Sequence, residues 1–440
     1  MSRLPTSWAT TTLGEVSYDC LQTVPSEEQS FSYIDIAAVD REIKQISSPQ
    51  KLIGKDAPSR ARKLIAKGDV LVSMTRPNLN AVALVPKELD GEIASTGFDV
   101  LRASEIDPRW IFYTVRSTRF IERMCELVQG ALYPAVRGKD IRSYEIPLAP
   151  LPEQKRIADK LDSVLARVDA CRDRLDRLPA LLKRFRQSIL AAATSGRLTE
   201  DWRYPENADE WRNTDIQSVA KVGTGSTPLR SIANFYAESG TPWVTSAATS
   251  QEVVRDAEQF VTNDAIVAHR LKTYPVGTLL VAMYGEGKTR GQVTELGIPA
   301  TINQACAAVV VDETLALKAF VKSALQANYL AMRELAEGGN QPNLNLSKIK
   351  EFPLALPPLP EQTEIVRRVE ILFAFADRLE ARLATARRQV GQLTPALLAK
   401  AFRGELVPQD PADEPAAELL KRLAAQRGAA PKAKRGRSSV

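Results

Sequence analysis

Histidine and cysteine are scarce in this chain of 440 residues, which holds one histidine, His269, and four cysteines, Cys20, Cys125, Cys171 and Cys306. One imidazole cannot build a histidine-rich metal centre. A serine-type triad would have to use His269 as its base, nothing near it supports that, and an exposed loop histidine is the expectation. The cysteines lie far apart with no CxxC pair, which argues against a disulfide scaffold or a zinc site. Cys171 is expected in an apolar seam. No run approaches eighteen consecutive apolar residues, so no transmembrane helix is expected. The opening MSRLPTSWATTTLGEV lacks the apolar stretch of a signal peptide, and a cytoplasmic location is expected. HExxH, GxSxG and a dinucleotide fingerprint are missing too. No cofactor, metal or catalytic activity is therefore expected on this chain.

Excess charge is also absent once the C-terminus is set aside. The net charge is +6, with 59 Lys+Arg against 53 Asp+Glu. Residues 421–440 carry seven basic side chains and no acid, so the rest sums to −1. Any argument for nucleic acid must come from local patches.

What the sequence does contain is a repeat. Leu151-Pro152-Glu153-Gln154 recurs as Leu359-Pro360-Glu361-Gln362, and the ungapped 208-residue offset gives 14 identities over the 48 positions 151–198. Gly68-Asp-Val-Leu-Val-Ser-Met74 matches Gly277-Thr-Leu-Leu-Val-Ala-Met283 at 209, and Trp8 matches Trp211 at 203. The expected organisation is a globular domain over 1–150, a long helix over 151–199, a second domain over 200–358 and a second helix over 359–407. A short helix and a basic, disordered tail are expected over 408–440.

The helices carry a 4-3 apolar seam. In the first it runs Ile157, Leu161, Val164, Val168, Cys171, Leu175, Leu178, Leu182, Phe185 and Ile189. The second repeats it with Ile365, Val369, Leu372, Ala376, Leu379, Leu383, Ala386, Val390, Leu393 and Leu397. Sustained heptads favour a coiled coil over packing on a larger core, and the duplicate suggests mutual pairing. Pro152 and Pro360 fit a first turn, and the acids after them suit the positive end of the helix dipole. Gly196 and Gly404 are placed as C-terminal caps. Pro179 and Pro395 should kink or interrupt the helices at different places.

The globular parts read as mixed α/β. Expected strands are Tyr33–Val39, Asp69–Met74, Ala81–Val85, Asp99–Arg102, Thr278–Met283, Ala300–Ile302 and Ala307–Val311. Helices are expected over Trp110–Leu127, Leu315–Leu335 and Ala416–Ala425.

Gly285-Glu-Gly-Lys-Thr-Arg-Gly291 superficially resembles a phosphate-binding loop. The glycine required five residues before Gly287 is Ala282, so a flexible basic loop is the better reading. Gly223-Thr-Gly225 lacks a third glycine. The remaining polar groups can reach phosphates and base edges. Copy one offers Arg60, Arg62, Lys63, Arg76, Asn78, Thr96, Arg137 and Lys139. Copy two offers Tyr284, Lys288, Thr289, Arg290, Asn303, Gln304, Asn340, Gln341, Asn343 and Asn345. Arginine suits guanine O6/N7, and Asn or Gln suits adenine N6/N7.

With these motifs assembled, the sequence resembles the specificity subunits of type I restriction–modification systems. The resemblance rests on the duplicated LPEQ-(K/T)-x-I and the helix-ending Gly-Arg-Leu198 and Gly-Glu-Leu406. Leu4-Pro-x-x-Trp8…Leu13-Gly-Glu-Val16, Gly285-x-Gly-Lys-Thr-Arg-Gly291…Asn303-Gln304-Ala-Cys306 and Glu414-Pro-Ala…Leu419-Leu420 complete it. Copy one departs from the pattern, with Ser95-Thr96-Gly97-Phe98 in place of Asn303-Gln304 and Leu132-Tyr133-Pro134 in place of Asn340-Gln341-Pro342. The resemblance implies two target recognition domains reading the halves of a split, asymmetric site in double-stranded DNA. It implies an antiparallel helix pair that serves as spacer and as dock for two methylation subunits, with restriction subunits joining them. S-adenosylmethionine, ATP and Mg would belong to those partners. A coiled-coil adaptor without sequence-specific binding and a P-loop enzyme are the alternatives.

Overall fold

The computed structural model describes residues 4–128, 134–203, 210–284, 289–329 and 344–429. Two compact units form, Met1–Asp176 with Thr385–Val440, and Arg177–Ala384. The division falls inside both long helices, so each unit combines one globular domain with half of each helix.

In the first unit, Ala9–Thr12 pairs antiparallel with Glu145–Leu148, which brings the ends of the domain together just before the helix starts at Leu151. Between those ends, Val70–Ser73 runs antiparallel between Val82–Leu84 and Phe98–Ala103, with Ser17–Asp19 at the far edge. Its four residues are all buried, as a central strand covered on both faces requires. In a second sheet, Ile93–Ser95 pairs parallel with Ser30–Ile34 and antiparallel with Ala61–Leu64. The strand expected to reach Val39 stops at Ile34, where Asp35 caps a 3-10 turn over Ile36–Ala38. The single helix expected over 110–127 is two, Pro108–Val115 and Thr118–Glu126. Ser117 divides them, its hydroxyl accepting from the Phe120 N–H as an N-cap.

The second unit repeats this plan. Arg212–Asp215 pairs with Pro353–Leu356, and the buried strand Leu279–Ala282 runs between Val293–Leu296 and Cys306–Val311. Trp243 and Val244 pair parallel with Thr301 and Ile302, the counterpart of Tyr33 and Ile34 on Ile93 and Ala94. The helix expected from Leu315 begins at Lys318 and runs to Ala327. Residues expected to extend it beyond 329 lie outside the described residues.

The long helices span Leu151–Thr194 and Leu359–Ala401, and neither Pro179 nor Pro395 interrupts them. Pro179 has no N–H for the Leu175 carbonyl four residues back. In the first unit Arg387 of the second helix donates to that carbonyl at 3.3 Å and to Asp176 at 2.6 Å. There Ile157, Leu161 and Leu165 share a core with Leu398 and Ala401. In the second unit, Ile189 and Ala193 share a core with Ile365 and Val369, and the Phe185 and Phe375 rings lie 6.5 Å apart. Within each unit the pairing is antiparallel.

The seam is deepest beside the domains. Ile157, Leu161, Val168, Ile365, Val369 and Leu383 are buried, whereas Val164, Leu175, Leu182, Leu372, Leu379 and Leu397 are half-buried. Cys171 is exposed rather than part of the core, and Leu178 and Leu393 are 37% and 44% exposed. Two helices alone cover a narrow stripe. Where a domain adds a further layer, Leu165, Leu190, Leu398 and Ala401, outside the seam, become buried. Gly196 and Gly404 follow the helices with φ of +76° and +72°, the left-handed conformation that ends a helix most cheaply on glycine.

The repeated Glu-Gln pair locks each domain to its helix. Glu153 is 1% exposed and accepts from the Trp8 indole at 2.9 Å and from Gln409 at 2.6 Å. Glu361, equally buried, accepts from the Trp211 indole at 2.9 Å and the Thr199 hydroxyl at 2.7 Å, and pairs with Arg203 at 2.9 Å. Gln154 accepts from the Asp107 N–H and donates to the Ala149 carbonyl; Gln362 does the same with Leu317 and Pro357. Burial pushes the Glu153 carboxyl above its ordinary value, against the lowering pull of the Trp8 and Gln409 bonds. The last helix runs Ala416–Ala429, longer than expected. Its Ala416, Leu419 and Leu423 join the first domain's core with Trp8 and Trp110.

Candidate nucleic-acid interface

Both domains gather candidate side chains at the sheet edge where the central strand ends. In the first domain that end is Met74, whose N–H donates to Gly97 at 2.9 Å and whose carbonyl accepts from Val136 at 2.8 Å. Beside it the Arg76 N–H donates to Pro134 at 2.8 Å, and the Thr96 N–H donates to Arg60 at 2.9 Å. These bonds join Arg60, Thr96, Arg76, Asn78, Arg137 and Lys139 into one rim. Arg76 and Asn80 flank the turn Pro77–Leu79 with φ of +48° and +46°, which costs non-glycine residues energy. The buried Asn80 amide, donating to the Val115 carbonyl at 2.8 Å, holds that shape.

Arg60, Arg76, Arg137 and Lys139 are exposed, and none forms an ion pair among the described residues. Arg62 and Lys63 follow one another along the strand Ala61–Leu64 and so project to opposite faces. Only Arg62 can share the face of Arg60. Its guanidinium donates to the Ala61 carbonyl, while Lys63 is half-buried and close enough to Asp99 to lower that carboxyl, which burial raises. Lys44, which sequence reasoning missed, donates to the Asn80 carbonyl at 2.6 Å behind the rim. Burial, with Arg116 beside it, pulls its pKa down to about 8. Its sequence context, a charged turn, gave no signal.

In the second domain Met283 repeats the junction. Its N–H donates to Ala305 at 2.8 Å and its carbonyl accepts from Leu344 at 3.2 Å. Tyr284, 36% exposed, follows it, and Thr289 and Arg290 lead back to Gly291, whose N–H donates to Ala282. Asn303 and Gln304 precede the neighbouring strand. The Asn303 side-chain oxygen accepts from the Ala305 N–H at 3.2 Å, and the Gln304 oxygen accepts from the Thr227 hydroxyl. Asn345 caps the short helix Leu346–Lys350, accepting from the Lys348 N–H at 2.9 Å. Arg137 holds the equivalent cap position in the first domain. The Nε of Arg290 is buried with no hydrogen-bond partner. Lys288, Asn340, Gln341 and Asn343 lie outside the described residues.

The resemblance to a P-loop has a different structural outcome. After Gly291 the chain enters the antiparallel strand Val293–Leu296, where a P-loop would open a helix. Gly225 is required by backbone contact, since a Cβ there would lie 1.6 Å from the Ile302 carbonyl oxygen. His269 ends the short helix Asn263–His269 with its ring edge-on to Phe235, and is half-buried rather than an exposed loop residue. Burial pushes the Cys306 thiol up to about 12 and raises Cys20 as well, so neither is a nucleophile. No described helix is long and apolar enough to cross a membrane.

The family model for the type I restriction modification DNA specificity domain matches residues 5–180 and 208–386, taking in both rims. The chain belongs to that family. Among its relatives, the StySPI specificity subunit of Salmonella potsdam is 28% identical, over 97% of this chain and 96% of its own length. The EcoDI specificity subunit of Escherichia coli is 30% identical, over 74% of this chain and 78% of its own. A solved structure of complex assembly and conformational transition in the type I restriction–modification system matches with a TM-score of 0.73 and 28% identity, over 92% of this chain and all of that one. The HsdS subunit from Thermoanaerobacter tengcongensis matches with a TM-score of 0.65 and 26% identity, over 92% of this chain and 98% of that one. As a type I specificity subunit the chain is a non-catalytic DNA-recognition subunit, and each family match contains one of the two rims. DNA and the methylation and restriction subunits are the partners this membership implies.

Proposed function

We propose that each domain of this specificity subunit reads one half of a bipartite, asymmetric site in double-stranded DNA through its strand-end rim. The observation that carries this reading is the duplicated junction at Met74 and Met283, each surrounded by cations or amides that form no ion pair with a carboxylate among the described residues. Unpaired Arg and Lys at an edge suit phosphates, and planar guanidinium and amide groups suit base edges. The antiparallel helices would hold the two halves at a fixed separation and dock two methylation subunits, with restriction subunits added to them. S-adenosylmethionine chemistry on adenine N6, and ATP- and Mg-dependent translocation and cleavage, would be carried by those partners in the cytoplasm. Co-expression with the methylation partner, followed by single-molecule mapping of modified bases, tests the reading. The expected map is one split motif; turnover by the isolated chain would contradict it.

A further inference from the structure

The turn that carries Arg76 and Asn78 to the first rim is held from behind by one ammonium. Among the described residues five that are not glycine have positive φ, and three of them meet here: Arg76 and Asn80 at +48° and +46°, and Lys44 at +58°. Such conformations persist only where neighbours fix them. One fixing bond runs from the Asn80 amide to the Val115 carbonyl. The other is the 2.6 Å bond from the Lys44 Nζ to the Asn80 carbonyl. Lys44 reaches it from the hairpin of Val39–Asp40 and Gln45–Ile46, where its own N–H donates to the Asp40 carbonyl at 3.0 Å.

A charge at this place is costly. The Asp40 carboxylate accepts from the Glu42 and Ile43 N–H groups of the hairpin turn, and Lys44 forms no ion pair among the described residues. Arg41 lies beside Lys44 on the hairpin, and Arg116 faces it from the end of the helix Pro108–Val115. Burial and these two cations outweigh Asp40 and bring the Lys44 pKa down to about 8. A neutral side chain would fill the space without that cost. What the cation adds is a charge-assisted bond to one carbonyl of the strained turn.

We propose that Lys44 is a positioning residue for DNA reading: its ammonium holds the Arg76–Asn80 turn in its reading shape, and the first half-site loses discrimination when that ammonium is neutral. This rests on the DNA-reading function proposed above. The charged form is lost as pH rises through about 8, a window in which arginine does not titrate.

The test uses the chain assembled with its methylation partner. The first half-site is the one that changes when residues 1–150 are exchanged. Binding is measured at about pH 7 and about pH 9.5, on the natural site and on sites with one base pair replaced in either half, and each loss of binding is a discrimination penalty. At least one first-half penalty should shrink about fivefold at the higher pH, while second-half penalties change less than about twofold. The second half-site is thus the internal control for titration elsewhere in the assembly. Lys44→Met keeps the apolar stem without the ammonium, and should show the reduced first-half penalties at both pH values. Lys44→Arg keeps a cation that does not titrate in this range, and its first-half penalties should be the same at both. The wild-type profile needs no substitution, so a variant that fails to assemble leaves the test standing. A wild-type first-half penalty that does not move with pH, wild-type penalties in Lys44→Met, or equal losses in both halves would overturn the inference while leaving the DNA-reading function intact. So would a pH-dependent penalty in Lys44→Arg. Absence of any penalty in either half of the wild-type assembly at neutral pH would defeat the DNA-reading function instead.

Discussion

Glu361→Ala should destabilise the second unit far more than an ordinary surface change. The substitution strips the Thr199 hydroxyl, which is fully buried, and the Trp211 indole of their acceptor, and leaves Arg203 without its carboxylate. Each orphaned buried donor costs about 1–3 kcal/mol. Arg203 is 31% exposed, so water recovers part of its loss and it adds about 1 kcal/mol. The expected total is about 3–7 kcal/mol. Glu153→Ala removes the same acceptor from Trp8 and Gln409, but no cation among the described residues pairs with Glu153, and Gln409 is exposed and can turn to water. It should cost about 1–3 kcal/mol, less than its twin despite the identical motif. Urea unfolding of both variants, followed by tryptophan fluorescence and fitted for ΔG and m, measures the difference. Equal costs, or a Glu361→Ala cost below 1 kcal/mol, would refute the proposed locking role.

Three other outcomes follow from the same geometry. Glu153 is raised above its ordinary value by burial, so its contribution is favourable at low pH and is lost as pH rises from the unfolded value through the folded one; Glu153→Gln should flatten that part of a Tm-against-pH curve, and an unchanged slope would count against the burial argument. Native alkylation at pH 8 should label the exposed Cys125 and Cys171 and spare the buried Cys20 and Cys306, whose thiol sits at about 12; peptide mass spectrometry that finds Cys306 modified in the folded protein would contradict its burial. Inserting one in-phase heptad between Leu161 and Leu175 keeps the 4-3 seam and adds about 10.5 Å of helix. It should lengthen the gap between half-sites by up to about three base pairs without changing either half, and an unaltered gap with full activity would show that the helices do not set it.

The sequence made the large-scale plan readable because repeats and heptads are local patterns. The duplicated Leu-Pro-Glu-Gln located both helices, the 4-3 spacing gave their apolar partner faces, and the antiparallel orientation came with the family resemblance. It could not show that Glu153 answers Trp8 or Glu361 answers Trp211, contacts 145 and 150 residues apart. The acids looked like dipole partners because a helix start was the only neighbourhood visible. Cys171 continues the 4-3 spacing that buries Ile157 and Leu161, yet two helices alone leave it exposed, a matter of layer count rather than pattern. Ser117 split an expected helix because the polar stretch Arg116-Ser-Thr-Arg119 is compatible with the exposed face of one continuous helix and gives little warning that its serine will cap a second. The amides of the second rim were legible as residue types. Which backbone N–H groups the Asn303 and Asn345 oxygens accept from depended on turns at Ala305 and Lys348 that only the fold defines.

The most direct test of two independent reading domains is to exchange residues 1–150 for those of a relative with a different site and map the methylated bases. Those residues end where Ala9–Thr12 and Glu145–Leu148 pair, so the exchange carries both ends of one closed sheet element together. One half of the modified motif should change to the donor's and the other half should stay as it was. Simultaneous change in both halves, or an unchanged motif from an active complex, would contradict the assignment of one half-site to each domain.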